Sequence, residues 1–151
     1  MIINDPISMH TELNSFTCLR AASKFVGLRF SQKDRNCASL VRDFLEEIGI
    51  QVEMPEYVWS PKSFERQFLS YLSKNAESIP VKLDCFENLE VCDILLFRTK
   101  ASASVTHCGV YIGNYLFLSC REEANTVISN LYRGWAILMH SAWRLKVVKD
   151  R

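Results

Sequence analysis

The sequence predicts an α+β fold in which one amphipathic helix packs on a central antiparallel sheet. Apolar residues recur at helical spacing over residues 37–48, and short apolar strands separated by turns follow over residues 93–119. The composition is that of a globular chain, with 48% hydrophobic and 11% aromatic residues. Because 151 residues is the size of one domain, we expect residues 1–151 to form a single domain.

Two helices are predicted before residue 50. A short first helix carries apolar residues from Phe16 to Phe25 and ends at Gly27. The second helix is the strongest pattern in the chain, because its apolar residues form a single face. Asn36 stands at the N-cap position and Gly49 where a helix ends. The apolar face consists of Cys37, Leu40, Val41, Phe44, Leu45 and Ile48.

Cys37 lies in the first turn of the second helix. There the helix dipole and unpaired backbone N–H groups stabilise a thiolate, so Cys37 is a candidate nucleophile. The alternative is that Cys37 is a small buried residue, which is the common role of a free cysteine.

Residues 50–90 separate the nucleophile helix from the strands. Residues 50–59 have an extended pattern, and Ser60-Pro61 is a helix start whose apolar face continues to about Lys74. Residues 75–89 are predicted to be a polar connection. Tyr57 and Trp59 lie in this insertion, and they either line a binding groove or belong to the core.

The strand region supplies a candidate base. A buried strand over residues 93–98 leads through a polar loop, residues 99–106, into a strand that begins with His107. A hairpin turn at Gly113-Asn114 leads into the next strand. Residues 126–129 predict a short strand, and residues 136–148 predict a last strand or strand pair. A thiol at a helix start and a histidine at a strand start can form a thiolate–imidazolium pair.

The residue that orients the imidazole depends on the register of this hairpin. With a two-residue loop, His107 pairs with Cys120; with a three-residue loop, Gly109 pairs with Ser119, which then lies diagonal to His107 on the same face. In the second register Ser119 is the candidate for the third residue, and a backbone carbonyl or water is the alternative. His140, on a late strand, is a rival candidate.

These segments resemble the NlpC-type cell-wall cysteine peptidases, which have a papain-like fold. Their usual motifs are Asp-Cys-Ser-Gly-Leu-Val, then Gly-Asp-Leu-Val-Phe-Phe, then Ser-His-Val-Gly-Ile-Tyr-Ile-Gly-Asn. This chain has Asn-Cys-Ala-Ser-Leu-Val at residues 36–41, Cys-Asp-Ile-Leu-Leu-Phe at 92–97 and Thr-His-Cys-Gly-Val-Tyr-Ile-Gly-Asn at 106–114. The resemblance implies a papain-like NlpC-type fold with Cys37 as nucleophile and His107 as base.

Four positions depart from the family pattern. Phe30 stands where the family usually has Tyr, Asn36 replaces Asp, and Cys92 replaces Gly. Ser119 occupies the position of the family's third polar residue, usually His, Asn or Gln. The match of Ser119 to that position favours the second hairpin register.

The resemblance implies an insertion that lines the groove and a cysteine peptidase or amidase that cleaves peptidoglycan stem peptides. We expect Phe30, Arg35, Tyr57 and Trp59 to contact the substrate. Arg35 is placed either to favour the thiolate and meet a substrate carboxylate, or simply to be solvated. The alternatives are a catalytically weak structural component of the same fold and a papain-like acyltransferase or deamidase that acts on a protein.

Composition and the first residues bear on the partners, the location and the cofactors that we expect for the protein. A net charge of +1 gives no reason to expect nucleic acid, and no apolar run approaches the ~18 residues of a membrane span. The first residues lack the pattern of a secretory signal, so we expect reduced cysteines, and action at the cell wall would then require delivery by a phage tail or a secretion machine. Residues 130–135 and 140–145 resemble the ends of phage tail-tip members. We expect neither a metal nor another cofactor.

Overall fold

The computed structural model describes residues 13–31, 35–54, 61–82, 85–98 and 104–146. Within these residues, three helices, α1 (Ser15–Ser23), α2 (Cys37–Glu47) and α3 (Pro61–Asn75), accompany one six-stranded sheet, and a 3₁₀ turn spans Ala136–Leu138. The order across the sheet is β1-β6-β2-β3-β4-β5, with every neighbouring pair antiparallel. The predicted α+β class is therefore confirmed. The strands are β1 (Ala76–Ile79), β2 (Ile94–Arg98), β3 (Val105–Gly113), β4 (Leu116–Arg121), β5 (Asn125–Asn130) and β6 (Met139–Leu145).

Helix α2 forms where its local sequence predicts it. The Asn36 side chain accepts hydrogen bonds from the backbone N–H groups of Ala38 (3.0 Å) and Ser39 (2.9 Å), and Ser39 Oγ accepts one from the Asn36 N–H (2.9 Å). This capping box fixes the first turn. Gly49 has a φ of +92°, a left-handed conformation that ends the helix without the strain of a Cβ.

The sheet separates two apolar cores. Helices α1, α2 and α3 bury their apolar faces on one side of the sheet, which we call the helix-side core; the α2 contribution includes Leu40, Val41, Phe44 and Leu45. The opposite side of the sheet carries an aromatic layer, defined by Phe97, Tyr111, Phe117 and Trp135. Strand alternation places Cys108 in the first core and its neighbour His107 against the second.

The β3–β4 hairpin has the register that puts Gly109 opposite Ser119. Its turn differs from both predicted loops. Gly113 pairs with Leu116, so the turn has two residues, Asn114 and Tyr115, whose φ values of 54° and 64° fit a type I′ turn. The pairing register shifts between Tyr111 and Gly113. Because of this shift, the hairpin has a two-residue turn and also the Gly109–Ser119 pairing that was expected for a three-residue loop.

One predicted connection is wrong and two late elements are confirmed. Residues 76–79, which were expected to lie in a polar connection, form β1 and pair with β6. The short strand predicted at 126–129 is β5, and the last predicted strand is β6. The helix predicted to begin at Pro61 is α3, which buries Phe64, Phe68 and Leu72 in the helix-side core.

A buried ion pair joins the beginning of β2 to β6. The Asp93 carboxylate, 1% exposed, accepts hydrogen bonds from Arg144 Nε (2.8 Å), Arg144 Nη2 (2.8 Å) and the Glu90 backbone N–H (2.8 Å). Burial raises the pKa of Asp93, and the hydrogen bonds and charge of Arg144 lower it, with the balance above its ordinary value. The carboxylate therefore depends on Arg144 to remain charged in this position.

We expect Arg144→Gln to lower the free energy of unfolding at pH 7 by about 3 kcal/mol, because it leaves Asp93 buried without its partner. The loss should shrink as the pH falls toward 4. A carboxyl whose pKa is raised in the folded state is penalised only while it is ionised, so protonation removes the penalty. Urea unfolding at several pH values measures this.

Asp93→Asn in the Arg144→Gln background should recover part of the loss, and Arg133→Gln, at an exposed arginine, serves as the matched control. A loss from Arg144→Gln that does not vary with pH would contradict this account of the pair.

Candidate active site

Cys37 is the first residue of α2, and its position follows from the Asn36 cap. Its side chain is 1% exposed and belongs to the helix-side core. The thiol nevertheless differs from a packing cysteine, because it interacts with His107 and with the Cys108 thiol.

Burial by itself raises the pKa of Cys37. Hydrogen bonds from Cys108 and His107, together with the charge of His107, outweigh that effect and lower the pKa of Cys37 to about 5. Burial raises the pKa of Cys108 well above its ordinary value, and the proximity of Cys37 raises it further. At neutral pH Cys37 is therefore a thiolate and Cys108 a neutral thiol that can donate to it.

His107 stands near the beginning of β3, where the pairing with β2 is irregular. It pairs with Phe97, whereas the next pair is Val105 with Arg98. The imidazole packs against the rings of Phe97 (5.9 Å between centroids) and Trp135 (5.7 Å). Its Nε2 atom is buried and has no hydrogen-bond partner among the described residues.

Ser119 lies on the same face of the sheet as His107, diagonal to it, as the Gly109 pairing requires. It is fully buried, and within the described chain its Oγ makes no hydrogen bond. The hydroxyl and His107 Nε2 are thus two unpartnered polar atoms on one face, with no hydrogen bond between them. Gly109 keeps this region closely packed, since a Cβ there would lie 2.8 Å from Phe117 Cδ2 and 3.3 Å from Ser119 Cβ.

Of the four residues predicted to contact the substrate, the structure describes two, Phe30 and Arg35. Phe30 is partly buried against the helix-side core, and its N–H donates to Asn125 Oδ1 (3.1 Å). The Arg35 carbonyl accepts from the Cys120 thiol (3.8 Å), and Arg35 Nη1 lies 3.9 Å from Asp43 Oδ2. Tyr57 and Trp59 lie outside the described residues.

His140 does not join the site as an alternative orienting residue. It is exposed on β6, where its Nδ1 is hydrogen-bonded to Ser141 Oγ (2.8 Å).

Trp135, which packs against the imidazole, and Arg121, which lies over Trp135, were not predicted as site residues. Trp135, in the turn after β5, packs against His107, and the guanidinium carbon of Arg121 lies 5.0 Å from the Trp135 ring centroid. Strand alternation could have found Arg121, which lies two residues beyond Ser119 and shares its face. No sequence signal places Trp135, because it reaches the site from a turn.

Across the described parts of the chain, no group of three metal-ligating side chains comes together. All six cysteines are described and all are free thiols. No helix among the described residues is long and apolar enough to cross a membrane. The reactive groups that the structure brings together are the Cys37 thiol and the His107 imidazole.

No protein-family model matches the chain, and no curated protein matches it. Several solved structures match it in fold. An NlpC/P60 family protein from Bacillus cereus ATCC 10987 aligns over 87% of this chain and 40% of its own, with a TM-score of 0.56 and 17% identity. An NLP/P60 family protein similar to lipoprotein, from Staphylococcus aureus, aligns over 87% and 41%, with a TM-score of 0.54 and 14% identity.

The NlpC/p60 domain of the peptidoglycan hydrolase SagA aligns over 89% of this chain and 100% of that domain, with a TM-score of 0.57 and 11% identity. The chain spans about two fifths of the length of the first two structures. At these identities the likeness concerns the fold. The chain therefore has the NlpC/P60 fold, as the resemblance in its sequence predicted.

We expect Cys37 to react with iodoacetamide with a pH midpoint near 5, because reactivity follows the thiolate fraction and the pKa of Cys37 is lowered to about 5. In His107→Ala the midpoint should rise toward the ~8.5 of an ordinary thiol. Peptide mapping by mass spectrometry separates Cys37 from the other five cysteines.

His140→Ala removes an exposed imidazole and should leave the midpoint unchanged. A midpoint near 8.5 in the wild-type protein would show that Cys37 is an ordinary thiol.

Proposed function

We propose that this protein is a cysteine peptidase or amidase that hydrolyses an amide bond, with Cys37 as nucleophile and His107 as general base. The observation that carries the proposal is the Cys37 thiol, which is buried at the capped start of α2 beside the imidazole. The pKa of this thiol is lowered to about 5. A cysteine retained only for packing has no need of these neighbours.

In this mechanism the Cys37 thiolate attacks the carbonyl carbon and forms a tetrahedral intermediate. The Asn36 side chain engages the N–H groups of Ala38 and Ser39, and we assign the N–H of Cys37 to the oxyanion. His107 protonates the leaving amine. It then removes a proton from the water that releases the acyl group.

We propose peptidoglycan stem peptides as the substrate, cleaved between D-glutamate and the diamino acid. The fold is shared with a protein named as a peptidoglycan hydrolase, and the sequence motifs around Cys37 and His107 resemble those of cell-wall peptidases. Phe30, Arg35, Tyr57 and Trp59 remain our candidates for the groove. We place the enzyme at the cell wall, delivered by a phage tail or a secretion machine.

One observation favours a second candidate, a structural component of the same fold with weak catalysis. His107 Nε2 and Ser119 Oγ are both buried and unpartnered in the described structure, so the imidazole lacks the polar residue that orients it in papain-like enzymes. A protein acyltransferase or deamidase would use the same Cys37–His107 pair.

We expect the purified protein to release soluble fragments from sacculi with new amino termini on the diamino acid. Cys37→Ala should abolish release, and His107→Ala should lower kcat by about 10²–10⁴-fold because proton transfer is lost. Mass spectrometry of the products identifies the bond.

The Cys18→Ala variant removes a buried thiol from α1, away from Cys37, and is the matched control for the loss of a buried thiol. Deamidation of proteins or acyl transfer to them, with sacculi left intact, would favour the acyltransferase or deamidase. An activated Cys37 with no turnover of any substrate would favour the structural component.

We expect Ser119→Ala to change kcat by no more than about threefold, because the hydroxyl makes no hydrogen bond to the imidazole. Ser119→Asn supplies a longer polar group at the same position and should raise kcat several-fold, provided that thermal unfolding shows an intact fold. Ser78→Asn, on an exposed position of β1, is the control. A tenfold or greater loss in Ser119→Ala would instead make the hydroxyl a direct partner of His107.

A further inference from the structure

Three buried polar atoms without a hydrogen-bond partner lie on one face of the β3–β4 pair. They are His107 Nε2, Ser119 Oγ and Arg121 Nε. Unpartnered buried polar atoms are rare in proteins, and three on one face indicate a site whose hydrogen-bond acceptor comes from elsewhere. Of the three side chains, Arg121 carries a permanent charge and is the most informative about that acceptor.

Arg121 and the His107 imidazole share one aromatic neighbour. Its guanidinium lies over the Trp135 ring (5.0 Å), which also packs against His107 (5.7 Å). The β3–β4 pairing ends at Gly109 and Ser119, and strand alternation places His107 and Arg121, each two residues beyond this last pair, on the same face. Trp135 is thus a shared platform for the arginine and the catalytic base.

The present ion pair of Arg121 is incomplete. Its Nη1 lies 3.3 Å from Glu123 Oε1, but the Glu123 side chain is 70% exposed, so the pair is weak. The Nε–H has no acceptor at all in the described structure. The Arg121 side chain is itself 29% exposed, which leaves part of the guanidinium accessible to a ligand.

A guanidinium stacked on an aromatic ring keeps its N–H groups in one plane and binds a planar carboxylate with two parallel hydrogen bonds. We propose that Arg121 is a specificity residue that binds a carboxylate of the substrate close to the scissile amide, with Trp135 as its platform. The carboxylate replaces Glu123 as the partner of Arg121. The inference rests on the proposed function, since it concerns the substrate of the Cys37–His107 site.

Two alkylating reagents test the inference without knowledge of the substrate. Iodoacetate and iodoacetamide modify the same thiol with the same chemistry, but only iodoacetate carries a carboxylate. The ratio of their rate constants at Cys37, measured by peptide mapping at fixed ionic strength, reports attraction of a carboxylate to the site. Changes in Cys37 itself affect both reagents and cancel in the ratio.

We expect Arg121→Gln to lower the iodoacetate-to-iodoacetamide ratio about fivefold, because the bidentate partner is lost. Glu123→Gln removes the competing carboxylate from an exposed position, is safe for folding, and should raise the ratio about twofold. Arg20→Gln makes the same charge change at an exposed residue of α1 and should leave the ratio unchanged. Equal ratios in Arg121→Gln, Glu123→Gln and Arg20→Gln would overturn the inference.

A substrate pair separates this inference from the proposed function. Stem peptides that carry the D-glutamate carboxylate free or amidated should differ in their response to Arg121→Gln, with about a tenfold rise in KM for the free carboxylate alone. If the ratios respond as expected but no peptide is cleaved, the anion site stands and the peptidase proposal fails. If both peptides are cleaved with equal sensitivity to Arg121→Gln, the peptidase proposal stands and the anion site is refuted.

Discussion

The position of the reactive thiol depends on the Asn36 cap. Asn36 is fully buried, and its side chain satisfies two of the N–H groups that every helix leaves unpaired at its beginning. Because the cap fixes where α2 begins, it fixes Cys37 as the first helical residue. The apolar face of α2 then fixes the rotation of the helix on the sheet, and the two constraints together bring Cys37 to His107 and Cys108. The family usually has Asp at this position, but Asn caps a helix about as well and adds no negative charge beside the thiolate.

The two sides of the sheet contribute different groups to the candidate site. Cys108 belongs to the helix-side core and supplies a neutral thiol to Cys37, whereas its neighbour His107 packs against the aromatic layer. Phe97 and Trp135 pack against the imidazole and restrict its rotation, although no side chain accepts its Nε2 proton in the described structure. The ring is thus oriented mainly by packing, where papain-like enzymes also use a polar residue.

Features that depend on neighbouring residues in the chain could be predicted from the sequence, whereas features that depend on distant residues could not. Helix α2, its cap and its end follow from signals within a dozen residues, and the structure confirms them. The Gly109–Ser119 register that the match of Ser119 favours is confirmed, but neither predicted loop anticipates a two-residue turn with an irregularity before it. Strand β1 was missed because its four residues do not alternate and its partner, β6, lies far along the chain. Trp135 was missed because only the folded chain brings its turn to His107.

One departure from the family pattern has a visible local consequence. Cys92 stands where the family has Gly, and its φ of +77° is the conformation in which glycine is free of strain. The strain is held in place by neighbours on both sides. The Cys92 N–H donates to the Tyr111 carbonyl (2.8 Å), and the next residue, Asp93, is bound to Arg144. These flanking contacts hold the backbone of Cys92 in the left-handed conformation despite its side chain.

The proposed reaction has two steps, acylation of Cys37 and hydrolysis of the acyl group, and the site is suited differently to each. Attack on the amide uses a thiolate that already exists at neutral pH, because the pKa of Cys37 is lowered to about 5. Release of the acyl group instead needs His107 to take a proton from water, and this step benefits from a polar partner at Nε2 that would stabilise the imidazolium. Ser119, uncharged and without a hydrogen bond to the ring, gives little such help. For the proposed reaction, the described site is therefore better suited to acylation than to hydrolysis of the acyl group.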